Sequence, residues 1–157
     1  MLDGNDMIVN LTTIPAFKEI EGIKICQMHP CDAEAVLDFI REHFAAGWIG
    51  EARYAMMQDP VRCFIAVENK RVVGFACYDA TAKDYFGPIG VHPDMQGRGV
   101  GTQLMLKTLE AMRAYGYGYA VIGWVREAAP FYKKVLGAEY IKGGIPENSI
   151  YNRLISM

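Results

Sequence analysis

The stretch Ile89-Gly90-Val91-His92-Pro93-Asp94-Met95-Gln96-Gly97-Arg98-Gly99-Val100-Gly101-Thr102 constrains this chain more than any other. An apolar, strand-like run from Asp84 to Val91 leads into it, and a segment with helical periodicity, about Gly101 to Tyr115, leaves it. Three glycines at alternate positions remove the Cβ atoms that would keep a ligand from the backbone. A strand that turns into a helix through such a loop aims several amide N–H groups and the positive helix end at one point. That is a site for an anion. Gln96 and Arg98 flank it, and Thr102 adds a hydroxyl in the first helical turn. Two common phosphate motifs do not fit. No Lys follows any of the glycines, as G-x-x-x-x-G-K-[ST] requires, and the last glycine of G-x-G-x-x-G falls on Thr102 or Leu104.

The remaining segments supply a mixed α/β pattern. Ile23 to Met28 alternates as a strand, and Asp32 is placed to cap a helix with the stripe Val36, Leu37, Ile40 and Phe44, ended at Gly47. A second short helix spans about Glu51 to Met57. The β-rich runs Cys63 to Val67 and Val72 to Tyr78 flank a polar turn and predict a hairpin. Gly116 terminates the long helix, Tyr119 to Val125 reads as a strand buried on both faces, and Pro130 opens a short helix closed by Gly137. Ala138 to Ile141 and Ile150 to Ile155 read as two last strands. Residues 1–22 have weak periodicity and read as an extension to a single domain over 23–157.

With 157 residues, one domain with a sizeable core is expected. Lys plus Arg number 16 against 18 Asp plus Glu, a net charge of -2, and the basic residues are scattered, which argues against nucleic acid as a partner. The longest uncharged stretch, Ala114 to Val125, is too short and glycine-rich to span a membrane, and the N-terminus lacks the basic and apolar regions of a secretory signal. A cytoplasmic protein with no membrane partner is expected. Cys26, Cys31, Cys63 and Cys77 form no C-x-x-C pair, and Cys26, His29 and Cys31 have no second cluster to complete a metal site. Reduced cysteines and no metal are expected.

The glycine loop resembles the acyl-CoA signature [Q/R]-x-x-G-x-[G/A] of the GNAT superfamily of N-acyltransferases, through Gln96, Gly99 and Gly101, with that family's V-x-P just upstream as Val91-His92-Pro93. Ala128-Ala129-Pro130-Phe131-Tyr132 resembles the family's later A-x-x-F-Y helix. The order of elements from Ile23 to Ile155 agrees with its fold. The resemblance implies a mixed, mostly antiparallel central β-sheet flanked by helices, and an acetyl-CoA-dependent transfer to a primary amine. It also implies that the backbone of Gln96, Gly97, Arg98, Gly99, Val100, Gly101 and Thr102 holds the pyrophosphate of coenzyme A. The strand carrying Ile89 and Val91 then pairs with the pantetheine arm. Pro88 in that strand is compatible with the bulge and splay that the family's strand carries.

The same resemblance gives Tyr132 the role of proton donor to the departing thiolate. Val125 stands where the family frequently has Asn, so one contact to coenzyme A is absent. The loop from Lys133 to Gly137 is one residue longer than the commoner form. The general base is open among Asp84, Glu51, Glu127, His92 and a water chain. Trp48, Tyr54, Tyr85 and Trp124 are candidates to line an apolar pocket for a small-molecule or peptide amine. The alternative is an acyl-CoA-binding regulatory module without turnover, which an accessible acceptor cleft would disfavour. Apolar C-terminal strands and the 22-residue extension exceed what one small sheet needs to cover itself, so a homodimer is expected.

Overall fold

The computed structural model describes residues 5–155, which form seven strands and four α-helices. Residues 1–4 and 156–157 of the expected segments lie outside the described residues. The strands are β1 Met7–Asn10, β2 Lys24–Gln27, β3 Cys63–Glu68, β4 Arg71–Tyr78, β5 Phe86–Val91, β6 Tyr119–Ile122 and β7 Glu139–Tyr140. The helices are α1 Ala33–His43, α2 Gly47–Met57, α3 Val100–Tyr115 and α4 Ala129–Leu136. β2-β3-β4-β5 make one antiparallel sheet and β6-β1-β7 a second, also antiparallel.

Alternation along the hairpin strands determines the layers, because successive side chains leave opposite faces of a strand. Phe64, Ala66, Ala76 and Tyr78 face the core made with α3, α4 and β1, while Cys63, Ile65, Phe75 and Cys77 face the core made with α1 and α2. Helices therefore cover both faces. The expected mixed, mostly antiparallel α/β architecture is present, with its strands divided between two sheets.

Four local expectations are corrected. Residues 7–10, expected within an extension, form the middle strand of the second sheet, and Met7, Val9 and Leu11 are fully buried. Four residues are too few to show a period, and the strand is defined by partners more than a hundred positions away. Gly47 begins α2 rather than ending α1, whose last turn closes with the Phe44 N–H on the Ile40 carbonyl. β6 is exposed at Tyr119 and half-buried at Val121, so it alternates rather than being buried on both faces. Ile150–Arg153 is a 3-10 turn, because the Ser149 hydroxyl accepts the Tyr151 N–H and caps it. Of the two grounds for expecting a homodimer, the apolar C-terminal strands and the 22-residue extension, the extension places Met7, Val9 and Leu11 in the chain's own core.

Leu11→Ala is expected to cost about 2–5 kcal/mol in urea unfolding. A loss below about 0.5 kcal/mol, the usual value at a surface position, would mean that the N-terminal segment is appended after all.

Candidate active site

β5 and β6 touch at one end only. The Val121 N–H donates to the Asp84 carbonyl at 2.9 Å, and Tyr85 and Val121 form an isolated parallel bridge, the one strand pairing between the two sheets among the described residues. Past it, β5 bulges: Phe86 pairs with Tyr78 and Ile89 with Ala76, so Gly87 and Pro88 oppose Cys77 alone. Pro88 sits where no ladder bond is lost. Two cavities open along the separated edges and share Ile89 and Tyr132.

The first cavity, about 460 Å³, lies against the glycine loop and is lined by Ile89, Val91, Gln96, Gly97, Gly99, Val100, Gly101 and Thr102 together with Phe131 and Tyr132. Gly97 and Gly99 have φ of +80° and +78°, and a Cβ on either would meet only open space. These two glycines serve conformation as well as access. The first internal amide bond of the helix start is Gln103 N–H to the Gly99 carbonyl. The amides of residues 97–102 find no acceptor among the described residues, so six consecutive donors precede that bond. Such a run of free donors at a helix start is suited to an anion. Arg98 departs from expectation: its guanidinium pairs with Glu68 at 2.9 Å and its side chain does not line the cavity, leaving only its amide there.

The second cavity, about 550 Å³, is walled by Trp48 and Glu51 of α2, Phe86 to Ile89, and Ile122 to Arg126, and it is roofed by Tyr151 and Leu154. Phe44 positions the α2 side. Its ring stacks on Trp48 at 5.2 Å and lies against Gly90, where a Cβ would come within 2.5 Å of it. On the other side the Tyr151 ring occupies the space of the missing Gly123 Cβ. Trp124 and Tyr151 are 5.9 Å apart, centroid to centroid. Gly123 and Tyr151 carry no motif and were not legible in the sequence; a glycine directly before Trp124 was the available signal.

Tyr132 on α4 is 8% exposed, its hydroxyl has no partner among the described residues, and burial pushes its phenol up to about 12. It is a neutral donor at any physiological pH. Of the candidate bases, the structure places one on the second cavity. Burial pushes the Glu51 carboxyl above the usual carboxylate range, and a hydrogen bond from the Thr81 hydroxyl to Oε2 pulls it partway back. Thr81 in turn accepts from the Tyr151 hydroxyl at 3.3 Å. Asp84 lies elsewhere, its N–H on the Asp79 carboxylate. Glu127 is exposed, and His92 accepts the Asp94 N–H and packs edge-on to His43. Neither lines either of these two cavities. Trp48 and Trp124 line the second cavity, whereas Tyr54 is exposed and Tyr85 packs behind it on Tyr151.

A model of the acetyltransferase (GNAT) family matches residues 29–138, so the chain belongs to the GNAT acetyltransferase family. Acetyl-CoA is the co-substrate of that family. No curated protein matches the chain. Among solved structures, a GCN5-related N-acetyltransferase from Sphaerobacter thermophilus is similar at 24% identity and TM-score 0.69, over 85% of this chain and 47% of its own. A glucosamine N-acetyltransferase region in a fungal multi-domain GH3 β-N-acetylglucosaminidase matches at 17% identity and TM-score 0.69, over 87% of this chain and 19% of its own. This chain therefore spans less than half of either protein. A GNAT acetyltransferase from Brucella melitensis, in complex with acetyl-CoA, matches at 22% identity and TM-score 0.50, over 69% of this chain and 80% of its own. At these identities the likeness shows the fold. No helix among the described residues is long and apolar enough to cross a membrane.

Burial, and then the charge of Asp79, raise the Asp84 carboxyl to about 6. Between the unfolded carboxylate range near pH 4 and this value the folded state holds the extra proton, so stability falls as pH rises through that window. Asp84→Asn is expected to stabilise the protein in urea at pH 7.5, to change it little at pH 4, and to leave acetyl transfer intact. A loss of turnover without loss of fold would restore Asp84 as a base.

Proposed function

We propose that the protein moves the acetyl group of acetyl-CoA to a primary amine by direct attack on the thioester. The observation that carries this reading is the meeting of the two cavities at Ile89 and Tyr132. One cavity ends in six unpaired amides suited to a pyrophosphate, and the other holds a carboxylate suited to an ammonium. An acyl-CoA-binding module without turnover needs the first cavity and has no use for the second.

The residues divide the chemistry. The amides of Gly97 to Thr102 fix the pyrophosphate, and the edge of β5 at Ile89 and Val91 aligns the pantetheine arm. Glu51, directly or through water, takes a proton from the acceptor nitrogen. The freed nitrogen attacks the thioester carbonyl, a C–N bond forms, the C–S bond breaks, and the nitrogen loses its second proton to solvent. Tyr132 gives its proton to the departing sulfur and regains one from solvent. One proton is released overall for each ammonium converted to amide.

Gly101 is the cleaner probe of the loop, since it carries no positive φ and a Cβ there meets only Val91 Cγ2 at 3.5 Å. Gly101→Val is expected to keep its circular dichroism spectrum and to weaken acetyl-CoA binding by about tenfold or more in calorimetry, roughly 1.4 kcal/mol. Unchanged affinity would remove the loop from the site. Tyr132→Phe deletes one hydroxyl and keeps the ring. It is expected to lower kcat by about 10²-fold with acetyl-CoA affinity unchanged. Turnover within about twofold of the parent would make Tyr132 a packing residue only.

A further inference from the structure

The lining of the second cavity is selective about what it can hold. Its walls are aromatic or aliphatic for most of their extent: Trp48, Phe86, Trp124, Tyr151 and Leu154. Among the lining residues Glu51 is the one carboxylate and Arg126 the one cation, and no Ser, Thr, Asn, Gln or His is present. Glu51 Oε2 is occupied by Thr81, while no partner for Oε1 exists among the described residues. Arg126 lies over Trp124, 4.9 Å from the ring centroid.

We infer that the acceptor is a small arylalkyl monoamine, its ammonium held on Glu51 and its ring seated among Trp48, Trp124 and Tyr151. This rests on the acetyl-transfer reading and narrows it to a substrate class. A cavity of about 550 Å³ is of small-ligand size. Aromatic walls reward an aromatic body through buried area and edge-to-face contact. A polyamine brings a second ammonium that finds no second carboxylate and meets Arg126, already stacked on Trp124. An amino sugar brings several hydroxyls, and a peptide brings backbone amides and carbonyls. Either would leave polar groups buried without partners in this lining. The Thr81 and Tyr151 hydroxyls link the carboxylate to the roof, so the ammonium end and the aromatic end are set by one hydrogen-bonded unit.

The test is steady-state thiol release from acetyl-CoA by the full chain with 2-phenylethylamine, tryptamine, spermidine, glucosamine and an alanine-terminated tetrapeptide. Calorimetry of acetyl-CoA is run alongside. The two arylalkylamines are expected to exceed the others in kcat/KM by about tenfold or more. Glu51→Gln is expected to raise KM for 2-phenylethylamine by about tenfold or more, and Trp124→Ala to remove the preference among amines. Both variants should bind acetyl-CoA as the parent does. If Trp124→Ala fails to fold, Tyr151→Phe, which cuts the link to Thr81 and keeps the ring, is expected to raise KM for 2-phenylethylamine by a smaller factor than Glu51→Gln. Preference for spermidine, glucosamine or the peptide overturns the inference and leaves acetyl transfer standing. The inference is equally overturned if acetyl-CoA binds and no amine is accepted, or if Trp124→Ala lowers all amines alike. Absence of acetyl-CoA binding in the parent overturns the acetyl-transfer reading and this one with it.

Discussion

Both candidate cavities of this chain depend on two strands that are clamped at one end and free at the other. Asp79, fully buried, is held by Arg62 at 3.1 Å and by the Tyr117 hydroxyl, and it accepts the Asp84 N–H at 2.8 Å. The Asp84 carbonyl then takes the Val121 N–H. A buried pair of this kind is strongly destabilising when one partner is removed, because the other charge is left uncompensated. It therefore fixes where β5 and β6 meet. Beyond the clamp the bulge at Gly87 and Pro88 takes β5 out of register with β4 and lets it part from β6. The two cavities are the consequence of that parting.

The far wall of the second cavity is set by segments near both ends of the described residues. The Asp6 carboxylate accepts both the Trp124 N–H and the Ser149 hydroxyl, and the Asn5 carbonyl takes the Val125 N–H at 2.8 Å. The Gly144 carbonyl accepts the amides of Asn5 and Asp6. Trp124, at φ +58°, is thereby held in the left-handed region that a bulky residue seldom adopts. The N-terminal strand is the central member of the second sheet, and the two residues before it orient the aromatic wall of the second cavity.

What the sequence made legible was local chemistry. Gly99, Gly116 and Gly137, read as helix punctuation or loop glycines, have φ of +78°, +125° and +64° at the ends of α3 and α4. The hairpin at Glu68 to Arg71 and the strand-loop-helix at Val91 to Thr102 are likewise written in residues close together in the chain. What escaped depends on distant partners. Met7 to Asn10 becomes a strand because Tyr119 to Ile122 and Glu139 to Tyr140 pair with it. Arg98 turns to Glu68, thirty residues back, instead of to the loop cavity. Glu51 and Asp84 were equal candidates as carboxylates in a sequence; only the fold puts one on the second cavity and the other behind the clamp.

Backbone amide NMR of the isotope-labelled protein, titrated with coenzyme A, tests the site between the parted strands most directly. The six amides from Gly97 to Thr102 are expected to show the largest shifts, with Ile89 and Val91 next and Asp79, Asp84 and Val121 unmoved. Shifts concentrated away from the loop, or spread evenly over the surface, would contradict it.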